Sequence, residues 1–303
     1  MAQPSAQVAA AGPLPSAIPN RMRAFAQLTK PRLNFMVLTT TFIGYFVAEA
    51  GAFDLWRLFH TMVGTALVAG GASALNMYAE RHRDARMART ARRPLPSGRV
   101  TPLEAVTFGV LLGVVGSAYL FFAVNPLTAL LGLLTLLIYV WIYTPMKVTS
   151  TFNTAVGAIS GALPPVMGWT AVRDTLGIEA AVLFAILFLW QHPHFFALAW
   201  MYKADYEKGG YQMLPSQDPD GVLTGNLMVL FSLALIPTSL VLSLTGLEGS
   251  LYAIGALLLG LNYVRVSVQF NRKRTGKLAK KVFAASLIYL PALMALMMLD
   301  KLT

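Results

Sequence analysis

Long runs of hydrophobic residues dominate this chain, and short polar segments separate them. A helix that crosses a bilayer needs about 20 mostly apolar residues, and nine segments fit that requirement. They are Leu33–Gly51, Leu58–Tyr78, Ala105–Val124, Pro126–Tyr143, Phe152–Val172, Ile178–Tyr202, Val222–Leu244, Leu251–Phe270 and Val282–Leu299. The runs do not alternate between apolar and polar residues, which excludes the strands of a transmembrane β-barrel. The pattern therefore predicts an all-α, polytopic integral membrane protein with about nine transmembrane helices in one bundle.

The positive charges fall on one side of the predicted bundle. If the N-terminus lies in the cytoplasm, the cytoplasmic segments hold all of the 24 Lys and Arg residues except Arg57, Arg173 and Lys301. Such an asymmetry follows the positive-inside rule. We therefore expect a cytoplasmic N-terminus and a C-terminus on the opposite side. The same distribution accounts for the net charge of +11 without a nucleic-acid partner.

Composition supports the membrane interpretation and narrows the chemistry. Of the residues, 56% are hydrophobic and 12% are charged, whereas a soluble domain carries roughly 25% charged residues. The absence of cysteine excludes disulfides, thiolate metal sites and thiol nucleophiles. Residues 1–20 are rich in Ala and Pro and uncharged, which predicts a disordered tail before a single membrane domain over residues 21–303. The tail resembles neither a signal peptide nor a transit peptide, which favours the plasma (inner) membrane of a bacterium.

An acidic column follows the second predicted span. Asn76, Glu80 and Asp84 recur every four residues, so a helix would place them along one face. Oxygen ligands of this kind suit Mg²⁺, which in turn binds diphosphate. The neighbouring Arg89, Arg92 and Arg93 offer bidentate hydrogen bonds to phosphate oxygens. The alternative is a solvated helix end at which acids pair with arginines.

Three further segments place polar residues at the same end of the bundle or within a span. Asp205 and Lys203 form a second acidic loop, which alone is typical of an ordinary loop but could bracket a diphosphate together with the column. Tyr143 and Lys147 end the fourth span, where the lysine either contacts phosphate or snorkels. A histidine pair surrounds Pro193 in the sixth span; a regular helix directs the two rings about 200° apart, either towards a ligand or between packed helices.

Several motifs together resemble a known family. They are T-K-P-R around Lys30, N-x-x-x-E-R-x-x-D-x-x-M-x-R-T-x-x-R-P from Asn76 to Pro94, Y-T-P-M-K at Tyr143–Lys147, G-A-L-P-P-V-M-G-W at Gly161–Trp169, P-H-F at Pro193–Phe195 and D-Y-x-x-G-G at Asp205–Gly210. In combination they are similar to the motifs of the protohaem IX farnesyltransferases, or haem O synthases. These enzymes belong to the intramembrane aromatic prenyltransferases, which are nine-helix bundles.

The resemblance implies a reaction and assigns roles. Enzymes of this family transfer a farnesyl group from farnesyl diphosphate to a vinyl group of haem b, water supplies a hydroxyl, and haem O and diphosphate result. Two acidic motifs bind Mg²⁺–diphosphate in the superfamily, which makes Asn76, Glu80, Asp84 and Asp205 the expected metal ligands and catalytic residues. The second motif often has another Asp where this chain has Gly209. The expected partners are farnesyl diphosphate, haem b, membrane lipid and a haem A synthase.

Two other functions remain open from the residues. One is a prenyltransferase with a different acceptor, such as a quinone precursor or a chlorophyllide. The arginine-rich loop and the P-H-F segment, with His194 as the expected haem contact, favour the haem enzyme. The other is a transporter or haem-handling membrane protein without catalysis, against which the two acidic loops on one face argue.

Overall fold

The protein is a bundle of helices, and the connections between the helices lie at its two opposite ends. The computed structural model describes residues 18–302, and every regular element within that range is helical. The elements are α1 (Ile18–Leu28), α2 (Pro31–Ala48), α3 (Leu55–Asp84), α4 (Pro102–Ala123), α5 (Pro126–Leu137), a π-helical turn (Ile138–Tyr143), α6 (Thr144–Met146), α7 (Asn153–Arg173), α8 (Ile178–Met201), α9 (Lys203–Gly209), α10 (Leu214–Gln217), α11 (Val222–Leu244), α12 (Ser250–Lys273) and α13 (Gly276–Leu302).

The membrane architecture expected from the hydrophobic runs is confirmed. Among the described residues, eight helical segments are long and apolar enough to cross a bilayer, and Pro126–Met146 counts as one of them because α5 runs through the π-helical turn into α6. Helix α2, which contains most of the first expected span, is not among the eight. It includes Arg32, Asn34 and three consecutive threonines, which lower its mean hydropathy. Nine is therefore an approximate number of spans.

Helix α2 is nevertheless an integral part of the bundle because glycines let it lie directly against α7. A Cβ atom at Gly44 would lie 1.9 Å from the carbonyl oxygen of Pro165, and one at Gly168 would lie 2.0 Å from that of Thr41. Small residues on facing helices allow such backbone contact inside a membrane. Two of the three threonines of α2, Thr40 and Thr41, are buried within the bundle.

The element that positions the acidic column is α3, which is longer than expected. The hydrophobic run ends at Tyr78, but the helix continues to Asp84, because the polar residues that follow are held by protein partners. The hydroxyl of Thr90 donates to the carbonyl oxygen of Asp84 at 2.8 Å, which satisfies one of the free carbonyls at the helix end. The uncharged tail expected over residues 1–20 lies outside the described residues except for its last three, which begin α1.

Candidate active site

The acidic column lies on one continuous helix, as its spacing predicts, and it is buried. Asn76 and Asp84 have no exposed surface and Glu80 is only 5% exposed. Burial contradicts a solvated helix end, although one acid of the column, Asp84, does pair with an arginine. Burial of carboxylates is expensive unless each finds a charged or hydrogen-bonding partner. Each residue of this column has such a partner, and each partner comes from a different segment of the chain.

The first partner is Lys30, in the junction between α1 and α2. Its ammonium donates to the amide oxygen of Asn76 at 2.5 Å, while the amide nitrogen of Asn76 donates to the hydroxyl of Thr144 at 2.9 Å. The backbone of Lys30 is left-handed, with φ of 48°, which is uncommon for a residue other than glycine. Burial lowers the pKa of Lys30 to about 7.

The second partner is Lys147, which follows α6. Its ammonium donates to Glu80 at 2.7 Å, and it lies 4.5 Å from the ring centroid of Tyr143. Burial alone would lower the pKa of Lys147, but the adjacent Glu80 carboxylate raises it well above its ordinary value. The lysine is thus a permanent cation in the site. Of the two roles left open for it, snorkelling to solvent does not describe its position.

The third partner is Arg93, in the loop that joins α3 to α4. Its guanidinium donates to Oδ2 of Asp84 at 2.7 Å. The other oxygen of this carboxylate, Oδ1, is buried and has no hydrogen-bond partner. An orphaned carboxylate oxygen in a buried position is rare, because leaving it unpaired costs free energy. It is therefore an oxygen available to a ligand.

The second acidic loop meets the column at the same end of the bundle. Arg83 of α3 donates to the carbonyl oxygens of Gly209 at 3.1 Å and Gly210 at 3.4 Å. The backbone nitrogen of Gln212 donates to the carbonyl oxygen of Lys147 at 2.6 Å. Gly210, with φ of 69°, ends α9 in a left-handed conformation that suits glycine. The expected juxtaposition of the two loops is thus present.

The charged side chains of the second loop do not join the column. Asp205 is partly exposed in α9, and the part of the chain that the structure describes contains no group of three or more His, Asp or Glu side chains placed to hold a metal ion together. The ammonium of Lys203 lies 5.9 Å from the ring centroid of Trp200. Their proposed roles as metal and substrate ligands remain predictions.

Two of the three arginines named from the sequence are also separate from the carboxylates. The guanidinium of Arg89 lies 5.3 Å from the ring centroid of Tyr202 and 5.8 Å from that of Tyr206. Arg92 is exposed. These two remain candidates for a phosphate or a carboxylate that arrives from solution, whereas Arg93 is already part of the site.

A cavity of about 380 Å³ opens beside Glu80. Its walls are Ala79, Glu80, Arg83, Val140, Trp141, Thr144, Pro145, Val148 and Tyr211. One wall is the π-helical turn, an irregularity often found at functional sites, whose Trp141 is 73% exposed. On the other side the Tyr211 hydroxyl is buried without a hydrogen-bond partner, and burial raises the pKa of Tyr211. The cavity is thus lined both by apolar side chains and by the charged Glu80 and Arg83.

A glycine on α7 makes room for Tyr143. A Cβ atom at Gly157 would lie 2.6 Å from Cε2 of Tyr143, so any larger residue displaces the ring. Gly157 therefore accommodates the aromatic ring that lies next to Lys147.

The two histidines of α8 point apart, as the helical period predicts. The His192 ring stacks on Phe231 of α11, with centroids 3.8 Å apart. His194 bonds through Nδ1 to the hydroxyl of Ser286 in α13 at 2.7 Å. Both therefore lie between helices, and the role of His194 as a haem contact remains a prediction.

Lys30, Thr144, Arg83 and Tyr211 contribute to the site but were not identified as site residues from the sequence. Lys30 lies within the T-K-P-R motif, so its sequence context carried a signal. The others depend on how distant helices pack, which no local spacing reports.

This arrangement is typical of an enzyme that binds an anionic leaving group at the mouth of a membrane bundle. The model of the UbiA prenyltransferase family matches residues 37–290, and the chain belongs to this family. A protein from Solibacter usitatus named protoheme IX farnesyltransferase is 48% identical, with 92% of this chain and 99% of that protein aligned. One of the same name from Salinibacter ruber is 43% identical, over 90% of this chain and 96% of its own length.

Solved structures show the same fold at low sequence identity. A digeranylgeranylglyceryl phosphate synthase structure superposes with a TM-score of 0.80 at 14% identity, over 93% of this chain and 98% of that one. A UbiA homolog from Archaeoglobus fulgidus bound to GPP and Mg²⁺ superposes with a TM-score of 0.67 at 14% identity, over 90% of this chain and 99% of the other.

Proposed function

We propose that this protein is a protoheme IX farnesyltransferase: it transfers the farnesyl group of farnesyl diphosphate to a vinyl group of haem b and releases diphosphate. The observation that carries the proposal is the buried column of Asn76, Glu80 and Asp84 with a cation on each member. Relatives that align over nearly their whole length bear the name of this activity. A non-catalytic transporter has no comparable need for three cations beside buried carboxylates.

The residues of the column fit a divalent metal. The Asn76 amide oxygen and the two carboxylates are hard oxygen donors of the kind that Mg²⁺ prefers, and Oδ1 of Asp84 is orphaned. We infer that Asn76, Glu80 and Asp84 would hold Mg²⁺ and that Asp205 would be a further ligand. Bound Mg²⁺ neutralises negative charge that develops on the departing diphosphate.

The basic side chains stabilise the same charge from the protein side. Lys147, Lys30 and Arg93 lie at hydrogen-bond distance from the column and are placed to donate to diphosphate oxygens as the carbon–oxygen bond breaks. Arg89, Arg92 and Lys203 surround the mouth as further substrate contacts. The electron pair of the broken bond leaves with diphosphate, and the farnesyl C1 becomes an allylic cation.

Aromatic faces stabilise that cation. Tyr143 already lies 4.5 Å from one cation, the Lys147 ammonium, and aromatic faces attract cations. The vinyl π electrons of haem form the new carbon–carbon bond to C1. Water then adds to the adjacent carbon and loses a proton, which gives the hydroxyl of haem O. His194 is our candidate for a haem contact.

The setting follows from the architecture and the relatives. The protein is an integral membrane protein, and we place it in a bacterial inner membrane with its charged end in the cytoplasm. Membrane lipid surrounds it, and a haem A synthase is the partner that consumes its product.

Asp84→Asn tests the proposal. The amide keeps the shape of the side chain and removes the charge that the metal needs, so turnover of farnesyl diphosphate should fall by at least ~100-fold and apparent Mg²⁺ affinity should fall too. The matched control is Glu207→Gln, which removes an exposed carboxylate from the neighbouring loop. Equal activity of the two variants would contradict the role of the column.

A further inference from the structure

Each oxygen-bearing residue of the column is paired with one cation. Lys30 donates to Asn76 at 2.5 Å, Lys147 to Glu80 at 2.7 Å and Arg93 to Asp84 at 2.7 Å. The three cations come from the α1–α2 junction, the end of α6 and the α3–α4 loop, so three separate segments converge on one helix face. Each column residue has one basic partner of its own. Basic residues placed near acids by chance would not be expected to pair so regularly.

The environment makes these pairs strong. The three acceptors are at most 5% exposed, so solvent screens the interactions little. Lys30 reaches Asn76, an uncharged partner, from a left-handed backbone conformation. Glu80 and Asp84 also attract the Lys30 ammonium, and this attraction opposes the effect of burial. Lys30 is therefore a third basic group beside two carboxylates.

The pairing has a consequence for a bare metal ion. A divalent cation that approaches Asn76, Glu80 and Asp84 alone is attracted by the two carboxylates, but Lys147, Arg93 and protonated Lys30 repel it at hydrogen-bond distance from the same oxygens. It must also compete with each of them for oxygen ligands. A diphosphate changes this balance because its oxygens accept hydrogen bonds from the same three cations. The cations can then leave the column without losing a partner.

We propose that Lys30, Lys147 and Arg93 are specificity-determining residues that make the site select a metal–diphosphate complex over a free divalent ion. This inference rests on the proposed function, because it assumes that the column binds metal. It assigns the three cations a second role beyond contact with the leaving group: they occupy the metal ligands by hydrogen bonds until diphosphate binds.

The test measures metal binding directly in the full-length protein in detergent micelles. Mn²⁺ serves as the spectroscopic probe, and the loss of the free-ion electron paramagnetic resonance signal reports binding, first for Mn²⁺ alone and then with inorganic diphosphate. The wild type should bind Mn²⁺ weakly alone and tightly with diphosphate. In Lys30→Met and Lys147→Met, affinity for Mn²⁺ alone should rise about tenfold or more, while affinity for Mn²⁺ with diphosphate should fall.

The two variants differ in their folding risk. Lys147→Met leaves Glu80 buried without its hydrogen-bonded partner, which can destabilise the protein. Lys30→Met removes the donor to the neutral Asn76 and only a longer-range attraction to Glu80, which keeps Lys147. Lys30→Met therefore decides the question if Lys147→Met does not fold. Lys273→Met, which removes an exposed charge at the end of α12, is the matched control and should change neither affinity.

The opposite signs of the two changes are the signature of the proposal. If both affinities fall together, or if affinity for Mn²⁺ alone is unchanged, the cations do not compete with the metal and the inference is wrong, while the proposed function stands. If the wild type binds Mn²⁺ neither alone nor with diphosphate, the metal site and this inference fail together.

Discussion

At the scale of single residues, the buried ion pairs lie in the candidate active site. Glu80 and Asp84 are buried with partners, and the arrangement leaves one orphaned oxygen for a ligand. A third buried carboxyl group, that of Glu248, lies far along the chain between α11 and α12. It is 4% exposed, and neither of its oxygens has a hydrogen-bond partner.

Glu248 should make stability depend on pH. Burial, and then Asp300 of α13, raises the pKa of Glu248 to about 8, while Lys301 opposes the shift and Tyr252 of α12 also faces it. The folded state therefore keeps a proton between about pH 4.5 and pH 8 that the unfolded state loses, so stability falls as pH rises through this window. Even if only a third of this pKa shift is realised, it changes the free energy of unfolding by more than ~1 kcal/mol across the window.

Glu248→Gln isolates that contribution because glutamine resembles the protonated acid. The measured quantity is the Tm of the variant minus the Tm of the wild type, from thermal unfolding in detergent micelles. This difference should be several degrees larger at pH 8 than at pH 5. An equal difference at both pH values would contradict the account. The burial of Glu248 was not predictable from the sequence, because a carboxylate in a short loop is usually solvated.

At the scale of elements, hydrophobic runs located the helices well and their polar ends poorly. The run Val222–Leu244 coincides with α11, whereas α3 extends six residues beyond the expected end at Tyr78. Hydropathy reports where lipid surrounds a helix, and it does not report where protein partners continue it. The same limit explains why the column was identified by its spacing, whereas Lys30 was located only by packing. Arg93 was named from the sequence as a phosphate contact, but its pairing with Asp84 was not.

The π-helical turn and α7 act together at the site, which leads to a prediction for Gly157. A Cβ at this position would lie 2.6 Å from the Tyr143 ring, so Gly157→Ala should displace the ring and Lys147 next to it. We expect turnover to fall by about tenfold, with a smaller change in Tm, because the displaced groups stabilise charge during the reaction.

Gly276→Ala is the control for this substitution, since a Cβ at Gly276 meets nothing within 4 Å. Steady-state kinetics of the two variants give the comparison. If Gly157→Ala retains wild-type turnover, the Tyr143 ring has no part in the reaction and Gly157 serves helix packing only.

At the scale of the whole molecule, the bundle brings two distant acidic loops to one end. Arg83 connects them through Gly209 and Gly210. The two loops must therefore lie on the same side of the membrane, which the charge distribution predicts to be the cytoplasmic side. The charge distribution predicts an N-terminus inside and a C-terminus outside. A reporter enzyme that works only in the periplasm should therefore be active when fused after Thr303. Activity of a cytoplasmic reporter at that position would contradict the predicted orientation.

The central claim is that the chain builds haem O, and the mass of the haem product tests it most directly. The protein is expressed in bacterial cells that lack their own enzyme, and haem is extracted and weighed by mass spectrometry. We predict a new haem that exceeds haem b by one farnesyl group and one hydroxyl, absent in cells that carry Asp84→Asn. Unmodified haem b alone, in cells that contain the folded protein, would contradict the account.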